Sequence, residues 1–92
     1  MFKKKEPEIS EEKKQQILRR IRPLIASELK VSQEQITEGT RLFEDLGVDS
    51  LQSIEVTMVL EEAFNIEILD REAEKMKTVG DIIAYLAKRI EF

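Results

Sequence analysis

The sequence predicts an all-α fold: a four-helix bundle of three longer helices and one short one, with a long loop between the first two. Three observations lead there. Apolar residues recur at steps of three and four in three separated segments, each the mark of one helix face. A residue able to cap a helix stands before each segment. No segment alternates apolar and polar residues long enough to read as a strand.

The 92 residues suffice for one small core. Residues 1–9 are polar, contain Pro7 and read as a flexible lead-in, so the folded domain is placed at 10–92. Ser10 can cap the first helix, and Glu11 and Glu12 suit the positive end of its dipole. Ile17, Leu18, Ile21, Leu24, Ile25 and Leu29 form its core face. Pro23 lies inside it; an internal proline costs about 3 kcal/mol, so a kink near Arg19 to Pro23 or two helical pieces are expected, and the apolar phase that continues across favours the kink.

Ser32 and Gln35 have capping-box spacing and predict a short helical turn. Ile36, Leu42, Phe43 and Leu46 then sit in an otherwise polar connection and are expected to pack it onto the core. The second long helix is predicted over about 50–63, with Asp49 as cap and Gln52 completing a capping box. Residues 65–69 bridge to a short helix capped by Asp70 and running to Lys75 or Met76. Thr78 and Asp81 cap the last helix, whose face is Val79, Ile82, Ile83, Leu86 and Ile90.

Composition narrows the chemistry. The chain has no histidine and no cysteine, which removes the usual general base, the usual zinc ligands, thiolate chemistry and disulfides. The acids match no EF-hand spacing, so no metal site is expected. No apolar run approaches the roughly 20 residues of a membrane span, and the lysines after Met1 precede no apolar segment. A cytoplasmic protein without membrane insertion is therefore expected, and a monomer. Net charge is −4, but residues 1–30 hold nine Lys/Arg against five Asp/Glu while residues 44–74 hold one against ten. That acidic half repels a nucleic-acid backbone and suits a basic protein partner.

At about 100° per residue, the second helix carries two apolar faces. Val56, Leu60, Ala63 and Phe64 make a core stripe. Leu51, Ile54 and Met58 lie roughly opposite, among Glu55, Glu61 and Glu62. The second patch is either covered by the long loop or last helix, or is a docking face; its closeness to Ser50 favours docking.

Ser50 comes directly after the turn Asp45-Leu46-Gly47-Val48-Asp49. A serine at a helix start is most often a cap, but Asp49 is better placed for that, leaving the Ser50 hydroxyl free. No lysine or carboxylate stands beside it at a spacing that suggests a base, so catalysis by Ser50 is not expected. A phosphodiester on its oxygen, however, would be partly compensated by the helix N-terminus. Simple phosphorylation rests on the same physics, although Asp45 and Asp49 oppose a dianion more than a monoanionic diester; either way Ser50 reads as an attachment point.

The run Asp45 to Leu51, with Glu55, Leu60-Glu61-Glu62-Ala63-Phe64 and Glu67-Ile68, resembles the acyl carrier proteins from about Ile17 to Ile90. Thr37, Leu42-Phe43-Glu44 and Thr78-Val79 fall where that family carries similar residues. The resemblance implies that Ser50 receives 4'-phosphopantetheine from coenzyme A through a separate magnesium-using phosphopantetheinyl transferase. The arm's thiol would carry acyl thioesters to fatty-acid, polyketide or related biosynthetic synthases and transferases, with the chain no enzyme itself. It implies that Asp45, Asp49, Leu51, Ile54, Glu55, Met58, Glu61 and Glu62 meet basic docking patches. It also implies that Leu60, Phe64, Ile68 and the loop apolars line an acyl cavity. Gln52 where an acid is common, Leu69 where proline is common, Pro23 and the basic N-terminal stretch point to a specialised carrier. The alternatives are an amino-acid cargo, of D-alanyl or peptidyl type, and a protein–protein adaptor that keeps the fold without the arm.

Overall fold

The structure, a computed structural model, describes residues 9–90, so most of the expected 1–9 lead-in lies outside the described residues. The first helix, α1 (Glu11–Leu29), starts as its sequence requires: the Ser10 hydroxyl accepts the Lys13 amide at 3.1 Å, with Glu11 and Glu12 in the first turn. It runs through Pro23 as one helix. Pro23 and Arg19, whose carbonyl loses its partner to the proline, are both exposed to water, while Ile21 and Ile25 hold the two halves in one core. Leu24, expected on that face, is only half-buried. Lys30 closes the helix with φ 58°, a left-handed position unusual for lysine.

The connection is not a plain loop. Ser32 and Gln35 form the expected capping box around a 3-10 turn, Gln33–Gln35. Buried Thr40 then closes the stretch on itself: its hydroxyl donates to the Gln35 carbonyl at 2.8 Å and accepts the Thr37 amide at 2.9 Å. Next comes a five-residue helix, α2 (Leu42–Leu46), where the sequence predicts only loop. Ile36 and Leu42 are buried and Leu46 half-buried, as expected, but Phe43 is 44 % exposed. On so short a helix one side suffices for the core, and Leu42 takes it.

The second long helix, α3 (Ser50–Phe64), ends at Asn65 with φ 55°. A short α4 (Asp70–Ala73) and the final α5 (Val79–Arg89) complete the fold. Asp70 is the first residue of α4 rather than its cap; Leu69 stands before it, and the Glu72 carboxylate accepts the Leu69 amide at 3.2 Å. Helix α4 stops at Ala73, short of the predicted end. Thr78 and Asp81 cap α5 as expected.

Helix α1 packs on both α3 and α5. Ile17, Ile21 and Ile25 meet Leu60, Val79, Ile82, Ile83 and Leu86 in one buried cluster. Burying an aliphatic side chain of this kind contributes about 1.5–3 kcal/mol. Three backbone bonds stitch the connection to the start of α5: Leu42 N–H to the Lys77 carbonyl at 3.0 Å, Val79 N–H to Thr40 at 2.9 Å, and Gly80 N–H to Glu38 at 2.8 Å. The result is an all-α bundle with three long helices. Among the described residues no helix is long and apolar enough to cross a membrane.

Candidate functional site

Helix α2 aims the turn that leads into α3. Gly47 ends α2 at φ 67°, a conformation L side chains rarely adopt, and its amide bonds back to the Phe43 carbonyl at 3.1 Å. The Val48 amide reaches the Leu42 carbonyl at 3.0 Å, and the Val48 side chain is buried. Val48 is a site residue that the sequence reading passed over; a branched apolar residue between a glycine and a capping aspartate is the signal that marks it. With Val48 plugged into the core, Asp49 and Ser50 are turned outward, and both are exposed.

Asp49 caps α3. Its carboxylate accepts the Gln52 amide at 2.7 Å, and the Gln52 side chain returns to the Asp49 amide at 3.1 Å. Ser50 is therefore the first helical residue, and the cap does not consume its hydroxyl. The first amides of a helix lack intrahelical acceptors, so a phosphodiester on this oxygen meets partial positive charge. The residues present fit such a group: an exposed hydroxyl, a helix N-terminus and a cap supplied by the neighbour.

Leu51, Ile54 and Met58 are 64 %, 57 % and 59 % exposed, so neither the loop nor the last helix covers the second face of α3. The opposite stripe is confirmed by buried Val56 and Leu60 and half-buried Phe64, against whose ring the Arg20 guanidinium lies 4.4 Å from the centroid. Ala63, expected in that stripe, is exposed.

The eight predicted docking residues do not form one uniform acidic face. Glu55, Met58, Glu61 and Glu62 share an open groove of about 560 Å³ with Glu28 of α1 and with Ile66 and Glu67. Within it Glu61 is already engaged, accepting the Ile68 amide at 2.7 Å and so fixing the chain that leaves α3. Asp45 stands apart from this groove and is paired with Arg41. The Arg41 Nε and terminal nitrogen meet the two Asp45 oxygens at 3.2 and 3.0 Å, and the Arg41 amide adds a third bond at 2.8 Å. Arg41 side-chain and backbone donation holds the Asp45 carboxyl below its ordinary range. Arg41 was missed from the sequence, although its four-residue spacing from Asp45 was visible.

On the far side of α3, Leu42, Val48, Val56, Leu60, Met76 and Ile82 enclose a cleft of only about 10 Å³, edged by Ser53 and Thr57. That is at the lower limit for one water. Of the expected cavity lining, Leu60 and Leu42 border it, whereas Phe64 and Ile68 do not. Across from it, α4 is tied to α5 through Glu72. The Tyr85 hydroxyl donates to its carboxylate at 2.7 Å, and Arg89 binds both its oxygens at 3.1 and 2.9 Å. The Tyr85 hydrogen bond lowers the Glu72 pKa, while burial and that same bond push Tyr85 up to about 12.

Comparison with known proteins agrees with this geometry. The family described as phosphopantetheine attachment site matches residues 19–86. The acyl carrier protein of Wolinella succinogenes is 48 % identical over 66 residues, covering 72 % of this chain and 87 % of that protein. The acyl carrier protein of Akkermansia muciniphila is 42 % identical over 69 residues, covering 75 % and 86 %.

Proposed function

Because the chain belongs to the acyl carrier protein family, and so bears a covalently attached 4'-phosphopantetheine, we propose that Ser50 is the attachment point. The observation that carries this is the division of labour at the start of α3: Asp49 makes the cap and Ser50 is left exposed with a free hydroxyl. A phosphopantetheinyl transferase supplies the activation that a chain without histidine or cysteine lacks. When bound, the group contributes a terminal thiol that carries acyl chains as thioesters. Ser50 anchors it, the turn at Gly47 and Val48 sets where it leaves the bundle, and the first amides of α3 face its phosphate charge.

The acyl cargo is delivered to fatty-acid, polyketide or related biosynthetic enzymes in the cytoplasm, the carrier domain (10–92) acting as a monomer. Exposed Leu51, Ile54 and Met58 form the apolar centre of the docking surface. Glu55 and Glu62 form its acidic rim, where a basic patch is steered in.

The test is an intact mass after incubation with coenzyme A, magnesium and a broad-specificity phosphopantetheinyl transferase. One phosphopantetheine adduct is expected on the wild type and none on Ser50→Ala. A wild type left unmodified beside a competent control carrier, or an adduct that persists in Ser50→Ala, overturns the assignment.

A further inference from the structure

We propose that Arg41 is a partner-specificity residue, which acts by occupying Asp45 and so removing one carboxylate from the docking surface beside Ser50. The inference rests on the attachment of the arm at Ser50 but goes beyond it. An exposed ion pair four residues apart on a helix is ordinarily loose and worth little. This one is built differently. The guanidinium meets both carboxylate oxygens, a paired geometry that fixes direction as well as distance. The same carboxylate holds the Arg41 amide, so it also serves the start of α2. The backbone from which Arg41 projects is itself held, by an antiparallel bridge to Thr78 and the Leu42 amide on the Lys77 carbonyl.

A partner's cation approaching this end of the surface meets a guanidinium whose side chain is 58 % exposed, and Asp45 behind it is already neutralised. Glu55 and Glu62 enter no ion pair among the described residues. The surface is therefore electrically uneven: the Asp45 charge before Ser50 is balanced by Arg41, whereas Glu55 and Glu62 along α3 have no such counter-charge among the described residues. It favours a partner whose cations reach the α3 groove and which offers an acceptor opposite Arg41. It disfavours one that grips at Asp45 with a lysine or arginine.

The probe is the transferase reaction itself, measured as initial rates against carrier concentration at low salt. Arg41→Ala removes the counter-charge from the Asp45 carboxylate, which still accepts the residue-41 amide, and is expected to lower KM about two- to fivefold, the range of one exposed charge pair. Arg41→Gln, which keeps the length of the side chain and removes its charge, should do the same if the alanine variant proves unstable. The gain should disappear in Arg41→Ala/Asp45→Asn and be screened out in about 0.5 M salt. Arg19→Ala, which removes an equal charge from an exposed position of α1, should leave KM unchanged. An unchanged or raised KM in both Arg41 variants overturns the proposal, as does a gain that survives Asp45→Asn or is matched by Arg19→Ala. Failure of every variant to take up the arm would instead sink the assignment of Ser50, so the two failures are distinguishable.

Discussion

Adding one methyl group at Gly80 should loosen the bundle, although the substitution ordinarily favours a helix. Gly80 is the second residue of α5, and its amide donates to the Glu38 carbonyl at 2.8 Å. A Cβ there would lie 3.0 Å from that same oxygen, 3.3 Å from Glu38 Cγ and 3.6 Å from Thr78 Oγ1. The connection cannot simply swing away, because Thr40 and Leu42 are bonded to Val79 and Lys77, and Glu38 is paired with Lys14 at 3.4 Å. Weakening the hydrogen bond costs about 0.5–1.5 kcal/mol, and the forced shift about 1–3 kcal/mol. The gain from replacing glycine in a helix is at most about 1 kcal/mol and smaller in the first turn. The net is a loss of about 0.5–4 kcal/mol, which for a domain of this size lowers Tm by at least about 2–4 °C. Gly39, across the same contact, has nothing within 4 Å of a built Cβ and no positive φ. Gly39→Ala should therefore raise stability by about 0.4–1 kcal/mol through the unfolded chain. Thermal unfolding monitored by circular dichroism at neutral pH compares the two. A rise in Tm for Gly80→Ala, or shifts of the same sign in both variants, would refute the reasoning.

Lys30→Gly relieves about 1–2 kcal/mol of left-handed strain at φ 58° against about 0.4–1 kcal/mol of added freedom in the unfolded chain, so Tm should rise by a few degrees; a fall in Tm would mean the left-handed cap is not strained. Tyr85 titrates near 12 in the fold against 10.0 unperturbed, so the folded state favours its protonated form. That contribution is complete below pH 10 and is lost as pH rises from 10 to 12; urea midpoints of Tyr85→Phe should fall less over that window than those of wild type. Glu72 has the opposite sign: its depressed pKa stabilises the fold above the ordinary carboxylate range and is lost as pH falls through it, so Glu72→Gln should flatten the acid side of the same profile. Ile54→Ala and Met58→Ala should slow acyl transfer with a partner synthase while leaving Tm within about 2–4 °C, because neither side chain is buried; a large fall in Tm would show that these residues pack rather than dock.

The caps were legible in the sequence because they are local. Ser10, Ser32, Asp49 and Thr78 each bond within three residues, and spacing alone identifies them. The exposure of Leu51, Ile54 and Met58 was legible too, as an apolar phase that one packed face could not absorb. The features that escaped depend on the chain folding back. Helix α2 has too few residues for a periodic signal and is held through Leu42 by a carbonyl thirty-five positions away. Glu61 looked like a free docking acid until the chain reversed at Asn65 and put the Ile68 amide on it. Phe43 was expected inside because it is apolar, yet the five-residue helix had already given its inner side to Leu42.

The stitching of Glu38, Thr40 and Leu42 to residues 77–80 has a consequence in time. The turn that presents Ser50 hangs from α2, and α2 is secured by backbone groups at the start of α5, which the ribosome delivers about thirty residues later. A nascent chain that has exposed Ser50 but not yet Lys77 has no fixed frame from which to offer it. If the arm is attached at Ser50 as proposed, its loading would report that the last helix has arrived and docked, and a transferase that recognises the framed turn would leave unfinished or misfolded chains unloaded.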